Sequence, residues 1–104
     1  MSGWMYILEC ADGSFYTGST NDLELRFTQH QAGEGSNHTK NRLPVSLIYI
    51  EEFDRIDFAF AREKQVQGWS REKKLALIKN MPRELHELAR CLNRTSHLNY
   101  KKDY

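Results

Sequence analysis

WMYILECADGSFYTGSTNDLELRFTQH, residues 4–30, reads as a β-hairpin that runs straight into a helix. Residues 4–10 and 14–19 are rich in aromatic and β-branched types and flank Ala11-Asp12-Gly13, a hairpin-turn signal. Thr20, Asn21 and Asp22 offer an N-cap for the helix, and Gly33 and Gly35 offer its stop. A tyrosine lies on each strand, at Tyr6 and Tyr16. On the helix, Leu23, Arg26, Phe27 and His30 occupy i, i+3, i+4 and i+7, the stripe that an amphipathic helix turns toward the protein. An arginine and a histidine cost free energy when buried without partners. Taken singly, Arg26 reads as a snorkelling cation and His30 as an edge residue. Together on one stripe, beside two tyrosines, they read as part of a site.

The turn makes a geometric demand. A two-residue Asp12-Gly13 loop pairs residue 9 with 16 and 6 with 19, which puts Tyr6 and Tyr16 on opposite faces of the sheet. An odd-length loop, or a bulge with Gly13 at positive φ, pairs Leu8 with Tyr16 and Tyr6 with Gly18, and both rings then share a face. If the tyrosines act together, the turn is of the second kind.

Working outward, residues 33–43, GEGSNHTKNRL, read as a surface loop. His38, Lys40 and Arg42 within it are candidates for phosphate-backbone contacts, against the commoner explanation of loop solvation. Residues 45–53, VSLIYIEEF, form a third strand, and their long apolar run argues for the central place in an antiparallel sheet with the hairpin. From Asp57, DFAFAREKQVQGW reads as a helix stopped near Gly68. Ala59, Glu63 and Val66 fall on one stripe of it, so Glu63 stands on an otherwise apolar face. A carboxylate there needs a partner: a salt bridge, with Arg26 the candidate, or a metal ion.

Ser70 caps a further helix, REKKLALIKN, with Leu75 and Ile78 expected to face inward. Arg71, Lys73 and Lys74 in its first turn oppose the helix dipole, at a cost of about a few tenths of a kcal/mol that a visiting anion would offset. Met81-Pro82 interrupts the pattern. RELHELARCLN then resumes as a last helix with Leu85, Leu88 and Leu92 apolar, and residues 94–104 read as a frayed tail. The whole is an α+β fold of order β-β-α-β-α-α, a three-stranded antiparallel sheet flanked by helices.

Composition bounds the function classes. A chain of 104 residues with 39% hydrophobic and 28% charged residues is one globular domain. No run of about 20 apolar residues suggests a membrane span, and the first residues do not read as a signal peptide. Cys10 and Cys91 make neither a disulfide framework nor a zinc motif, so a reduced, cytoplasmic protein is the simplest expectation. The net charge of +1 hides an asymmetry: residues 1–61 carry four Lys/Arg against nine Asp/Glu, and residues 62–104 carry eleven against five. Such a division can mark a nucleic-acid surface, although the overall pI is low for one.

With these residues in view, the chain resembles the GIY-YIG endonuclease family, most closely its small, stand-alone bacterial YhbQ-like branch. Trp4-Met5-Tyr6 stands in the place of the first tripeptide and Tyr16-Thr17-Gly18 in that of the second. Arg26 and His30 match the family's helix residues and Glu63 its metal-binding glutamate. REKQVQGWSREKKLALI, residues 62–78, resembles the branch-specific tail. Trp4, Met5 and Thr17 depart from the name-giving residues. Many members place an asparagine after the metal-binding glutamate, and Asn80 lies in a plausible region. The resemblance assigns residues 1–80 to the nuclease-like part, with 81–104 as a helix and tail of the same domain.

The resemblance implies a metal-dependent endonuclease that hydrolyses phosphodiester bonds in nucleic acid, DNA favoured over RNA, with DNA repair or processing as the setting. It implies one divalent ion, Mg²⁺ or Mn²⁺, held by Glu63, and no membrane partner. Tyr6 would serve as general base, Tyr16 would position water or phosphate, and His30 would take a proton from a tyrosine. Arg26 would hold phosphate oxygens. A nucleic-acid surface would comprise His38, Lys40, Arg42, Arg71, Lys73 and Lys74. The rival expectation is a non-catalytic nucleic-acid-binding or adaptor module that keeps the fold; it predicts salt-sensitive binding without metal dependence.

Overall fold

A tight turn sets the register of the hairpin. The computed structural model describes residues 2–102. Within it β1 (Gly3–Glu9) and β2 (Phe15–Thr20) are antiparallel, with Leu8 opposite Tyr16 and Tyr6 opposite Gly18. The Gly13 N–H donates to the Cys10 carbonyl at 2.9 Å and the Cys10 N–H to the Ser14 carbonyl at 2.8 Å. Gly13 has a φ of 84°, the left-handed conformation that side chains other than glycine adopt only with strain. The Asp12 carboxylate accepts from the Ser14 backbone and hydroxyl at 3.0 and 2.6 Å, which fixes the loop before it. This is the odd-length turn that places Tyr6 and Tyr16 on one face.

After the hairpin come α1 (Leu23–Gln31), the short α2 (Asn37–Lys40), β3 (Ser46–Phe53), α3 (Ile56–Gln67), α4 (Arg71–Lys79) and α5 (Arg83–Lys102). The strand order is β2-β1-β3, all antiparallel. The central strand is therefore β1, not β3 as its apolar run suggested. The reason is visible in burial: Met5, Tyr6, Ile7 and Leu8 are at most 2% exposed, so consecutive residues on both faces of β1 are covered. β3 keeps its apolar run because helices pack on it from both sides. On one face α3 lies across β1, β2 and β3; on the other, α5 packs on β3 and α1. The Asn93 side chain reaches from α5 to both backbone groups of Leu47, at 2.7 and 2.9 Å, and so satisfies part of the outer edge of β3.

Local chemistry accounts for the helix starts. The Asp22 carboxylate accepts from the Leu25 N–H, and the Ser70 hydroxyl from the Lys73 N–H. Two further expectations change. The loop 33–43 contains α2, started by a reciprocal capping box between Ser36 and Thr39. In α4, Leu75 is exposed, and Leu77 and Ile78 are the residues that pack on the core, so the inward face is rotated from the one expected. The last helix carries Leu85, Leu88 and Leu92 against the core as expected, and it runs on to Lys102 rather than ending at Asn93. Of the stretch read as a frayed tail, residues 103 and 104 lie outside the described residues.

Two neighbours on β2 have opposite tolerances. A Cβ at Gly18 would lie 2.5 Å from the Tyr6 hydroxyl oxygen and 2.6 Å from Cζ, so the tyrosine needs glycine opposite it. Among the described residues, the Thr17 hydroxyl is the buried side-chain polar atom left without a hydrogen-bond partner. We expect Gly18→Ala to destabilise by about 1–3 kcal/mol through crowding. Thr17→Val removes an unsatisfied buried group and should stabilise by about 1 kcal/mol. Urea unfolding of both variants beside the wild type checks the pair of signs.

Candidate active site

The hairpin and α1 bring four of the expected residues together. Tyr6 on β1 and Tyr16 on β2 have ring centroids 6.5 Å apart, and the His30 ring lies 5.7 Å from the first and 5.2 Å from the second. The Tyr6 hydroxyl oxygen is 2.8 Å from His30 Nε2. His30 and Phe27 are both buried on the α1 stripe, so the helix does turn its histidine inward. Arg26 flanks them, half-buried, with Nη1 donating to Gln29 at 3.2 Å.

Glu63 arrives from the other side of the sheet. Strand residues alternate between faces, so Ser19 points away from the face shared by Tyr16 and Gly18. The Ser19 hydroxyl donates to Glu63 Oε1 at 2.6 Å, while the Gln67 amide donates to Oε2 at 2.7 Å. Gln67 also donates to the Thr17 carbonyl at 3.3 Å, which ties this turn of α3 to β2. The cation nearest Oε2 is Lys64, at 3.8 Å; the partner is not Arg26. Along the edge of β2 a cleft of about 430 Å³ opens, lined by Tyr6, Tyr16, Gly18, Ser19, Arg26 and Glu63, with Phe60 and Ile56 of α3 at its rim. Four expected residues, Tyr6, Tyr16, Arg26 and Glu63, thus line one cleft around an edge strand, and the fifth, His30, lies buried behind Tyr6.

Burial controls the protonation states. Desolvation pushes the Tyr6 phenol well above its ordinary value, and the neighbouring Arg26 guanidinium opposes that rise only in part. His30 is pulled from 6.5 down to about 4, first by desolvation and second by the charge of Arg26. At neutral pH both groups are uncharged. Glu63 is a different case: its oxygens are engaged by neutral donors, and a carboxylate retains further lone pairs for another ligand. Among the described residues no three His, Cys, Asp or Glu side chains gather as metal ligands. A lone carboxylate in a polar cleft suits Mg²⁺, which keeps several waters and takes one or two carboxylates beside a substrate phosphate. It does not suit zinc, which takes three or four protein ligands drawn from histidine, cysteine and carboxylate.

The expected basic residues divide around the hairpin turn. His38 Nε2 is 3.0 Å from the Ser14 hydroxyl, and its ring lies 6.2 Å from that of Tyr16 at 24°. Arg42 pairs with Asp12 at 2.9 Å, and Lys40 is exposed between them. On the other side Arg71 donates to the Gly13 carbonyl at 2.9 Å and sits 4.0 Å over the Phe15 ring. Lys73 lies 4.2 Å over Trp69 and Lys74 is half-buried. The mismatch with the α4 dipole is thus offset internally by carbonyl and aromatic contacts. Asn80 caps α4, its amide donating to the Ala76 carbonyl at 3.0 Å, and is not among the residues lining the cleft.

Three supporting residues were not singled out in the sequence. Gln67 lies one turn beyond Glu63, a spacing that carries a signal. Ser19 and Thr39 carry none, because their partners, Glu63 and His30, are 44 and 9 residues away. His30 Nδ1 is 2.9 Å from Thr39 Oγ1, and a Cβ at Gly35 would collide with the His30 ring.

Comparison with known proteins identifies the family and the fold. Residues 2–76 match the family model described as the GIY-YIG catalytic domain. The chain is 46% identical to a UPF0213 protein of Haloquadratum walsbyi, over 71% of this chain and 83% of that one. It is 47% identical to a UPF0213 protein of Staphylococcus saprophyticus, over 72% and 92%. A solution NMR structure of a UPF0213 protein from Bacillus halodurans superposes with a TM-score of 0.50 at 39% identity, covering 76% of this chain and 84% of that one. A second NMR structure, of an E. faecalis protein, gives 0.53 at 34% identity over the same shares. The chain belongs to the GIY-YIG family, a family of nucleases, and is similar to its small UPF0213 members.

The buried histidine makes stability depend on acidity. Unfolded, His30 titrates near 6.5, and folded near 4. Between those values the unfolded chain binds the extra proton, so stability is complete above 6.5 and is lost as pH falls toward 4. From pH 7 to pH 5 the loss is about 2 kcal/mol. His30→Gln, whose amide can still serve both neighbours, should show about that much less acid sensitivity in urea unfolding.

Proposed function

We propose that this GIY-YIG domain is a metal-dependent endonuclease that hydrolyses phosphodiester bonds in nucleic acid, with DNA favoured over RNA and repair or processing of DNA as its setting. One observation carries the reading: Tyr6, Tyr16, Arg26 and Glu63, drawn from four elements, line a single cleft, and His30 backs Tyr6 from inside the core. A structural role alone gives no reason to bury a histidine against two tyrosines beside an arginine and a lone carboxylate.

Glu63 would hold Mg²⁺ or Mn²⁺, with Ser19 and Gln67 aiming its carboxylate. The bound ion would polarise the phosphate and stabilise the leaving oxygen. Arg26 has the planar fork that binds two phosphate oxygens and stabilises the charge that grows on them in the transition state. Tyr6 enters as a neutral phenol, because burial disfavours its anion. It can take a proton from an attacking water only as its own passes to His30 Nε2, 2.8 Å away. The two transfers therefore belong to one concerted step, which ends with an imidazolium and a restored phenol. Tyr16, beside both rings and facing the cleft, positions the water or the phosphate.

His38, Lys40 and Arg42 on one side of the turn, and Arg71, Lys73 and Lys74 on the other, give the substrate backbone a basic path past Tyr16. Phosphate contacts of this kind are sequence-independent and salt-sensitive.

The test is cleavage of a panel of labelled DNA and RNA structures with Mg²⁺ and with EDTA. The expected result is metal-dependent cutting by the wild type and a fall of at least roughly 100-fold in Glu63→Ala and Tyr6→Phe, with circular dichroism unchanged. Undiminished metal-dependent cutting by Glu63→Ala overturns the assignment. Salt-sensitive binding with no cutting of any substrate supports the binding-module reading instead.

A further inference from the structure

We infer that Thr39 is a positioning residue: its hydroxyl fixes the neutral His30 ring with hydrogen on Nδ1, which leaves Nε2 free to receive the hydrogen of Tyr6. The functional half of this inference rests on the nuclease reading above; the tautomer itself does not. Neither the resemblance nor the cleft singles out Thr39, which lies beyond the His30 ring from Tyr6.

The geometry starts from burial. His30 and Thr39 are both fully buried, so each hydrogen must find a protein partner. His30 Nε2 faces the Tyr6 oxygen at 2.8 Å, and Nδ1 faces Thr39 Oγ1 at 2.9 Å. Only one of the two nitrogens carries hydrogen in a neutral ring. Tyr6 oxygen also faces Arg26, a group that can donate and never accept. The hydrogen of Tyr6 therefore has its acceptor at Nε2. His30 must then carry its own hydrogen on Nδ1 and donate it to Thr39. Thr39 can accept, because its own hydrogen has the Ser36 carbonyl at 3.3 Å. The directions run Tyr6 to His30 to Thr39 to the Ser36 carbonyl, with each hydrogen used once. The opposite tautomer takes from the Tyr6 hydrogen its acceptor at Nε2 and takes the Thr39 hydrogen away from Ser36.

The loop is built to hold Thr39 there. Ser36 and Thr39 form the capping box that starts α2, with the Thr39 N–H donating to Ser36 Oγ at 3.2 Å and the Ser36 N–H to Thr39 Oγ1 at 3.3 Å. Gly35 packs against the His30 ring, where any side chain would collide. So the stretch Gly35 to Thr39, which reads as a surface loop, is a brace behind the histidine. During the proposed step Nε2 gains the proton of Tyr6 while Nδ1 keeps its hydrogen on Thr39. The hydroxyl then stabilises the imidazolium as an acceptor.

The test reads the imidazole nitrogens of ¹⁵N-labelled protein by NMR at neutral pH, in the wild type, Thr39→Val, Thr39→Ser and Ser36→Ala, with turnover measured on whichever substrate the wild type cuts. The expected wild-type spectrum has an unprotonated Nε2 and a protonated Nδ1. Thr39→Val should move the ring toward Nε2–H, because a buried Nδ1–H would then have no acceptor, whereas the Tyr6 hydrogen displaced from Nε2 can turn to the solvent of the cleft that Tyr6 lines. It should lower kcat by at least roughly tenfold with KM little changed. Thr39→Ser should restore both. Ser36→Ala removes a cap but leaves the Thr39 hydroxyl, so it should keep the wild-type nitrogen spectrum; a merely structural role makes it behave like Thr39→Val. A wild-type ring with hydrogen on Nε2 overturns the inference whether or not any variant folds, as does a Thr39→Val ring unchanged from the wild type. If the nitrogen spectra follow expectation but the protein cuts nothing, the tautomer lock stands and the nuclease reading fails.

Discussion

The structure depends on the bond between the Tyr6 hydroxyl and His30 Nε2, a polar contact of 2.8 Å inside an otherwise apolar interface. Both residues sit between the sheet and α1, where an unpaired hydroxyl or imidazole would cost about 1–3 kcal/mol. The bond therefore constrains everything near it. It requires the hairpin register that sends Tyr6 to the α1 face, hence the odd turn at Gly13. It requires a glycine opposite Tyr6 and another against the histidine ring. The burial around it keeps both groups neutral, the state that the proposed proton transfer starts from.

The second constraint is the edge position of β2. A central strand has helices over both faces and neighbours on both sides, so its two faces cannot share a solvent-filled cleft. At the edge they can. Tyr6, Tyr16, Arg26 and His30 come from one face, and Glu63 comes round from α3 on the other, steadied by Ser19 and Gln67. His30 is thereby kept fully buried while Tyr6 and the carboxylate meet the cleft, and each environment suits the role proposed for it. A hydrated cation is compatible with the second and would be costly in the first.

How much of this was legible in the sequence follows from the range of each interaction. The hairpin, the α1 stripe and the Ala59–Glu63–Val66 stripe are local periodic patterns, and the structure keeps them. The shared face of Tyr6 and Tyr16 was legible because side-chain alternation turns one loop length into a definite face for Tyr16. Strand order was misread because an apolar run reports burial on two faces, and β3 acquires that from helices while still lying at the edge. Leu75 was misplaced because α4 makes only a partial contact with the core, so its periodicity was weak. Ser19 and Thr39 were invisible for a simpler reason: each acts through a partner in another element, and nothing in their own surroundings announces it.

The central claim is that residues from two faces of the sheet share one metal-bearing cleft. Paramagnetic Mn²⁺, added to the ¹⁵N-labelled protein together with a non-hydrolysable oligonucleotide, tests it without requiring turnover. The amide signals of Gly18, Ser19 and Glu63 should broaden first and together, while those of α5 remain sharp. Broadening centred away from Glu63, or none at concentrations where the oligonucleotide is bound, would contradict it.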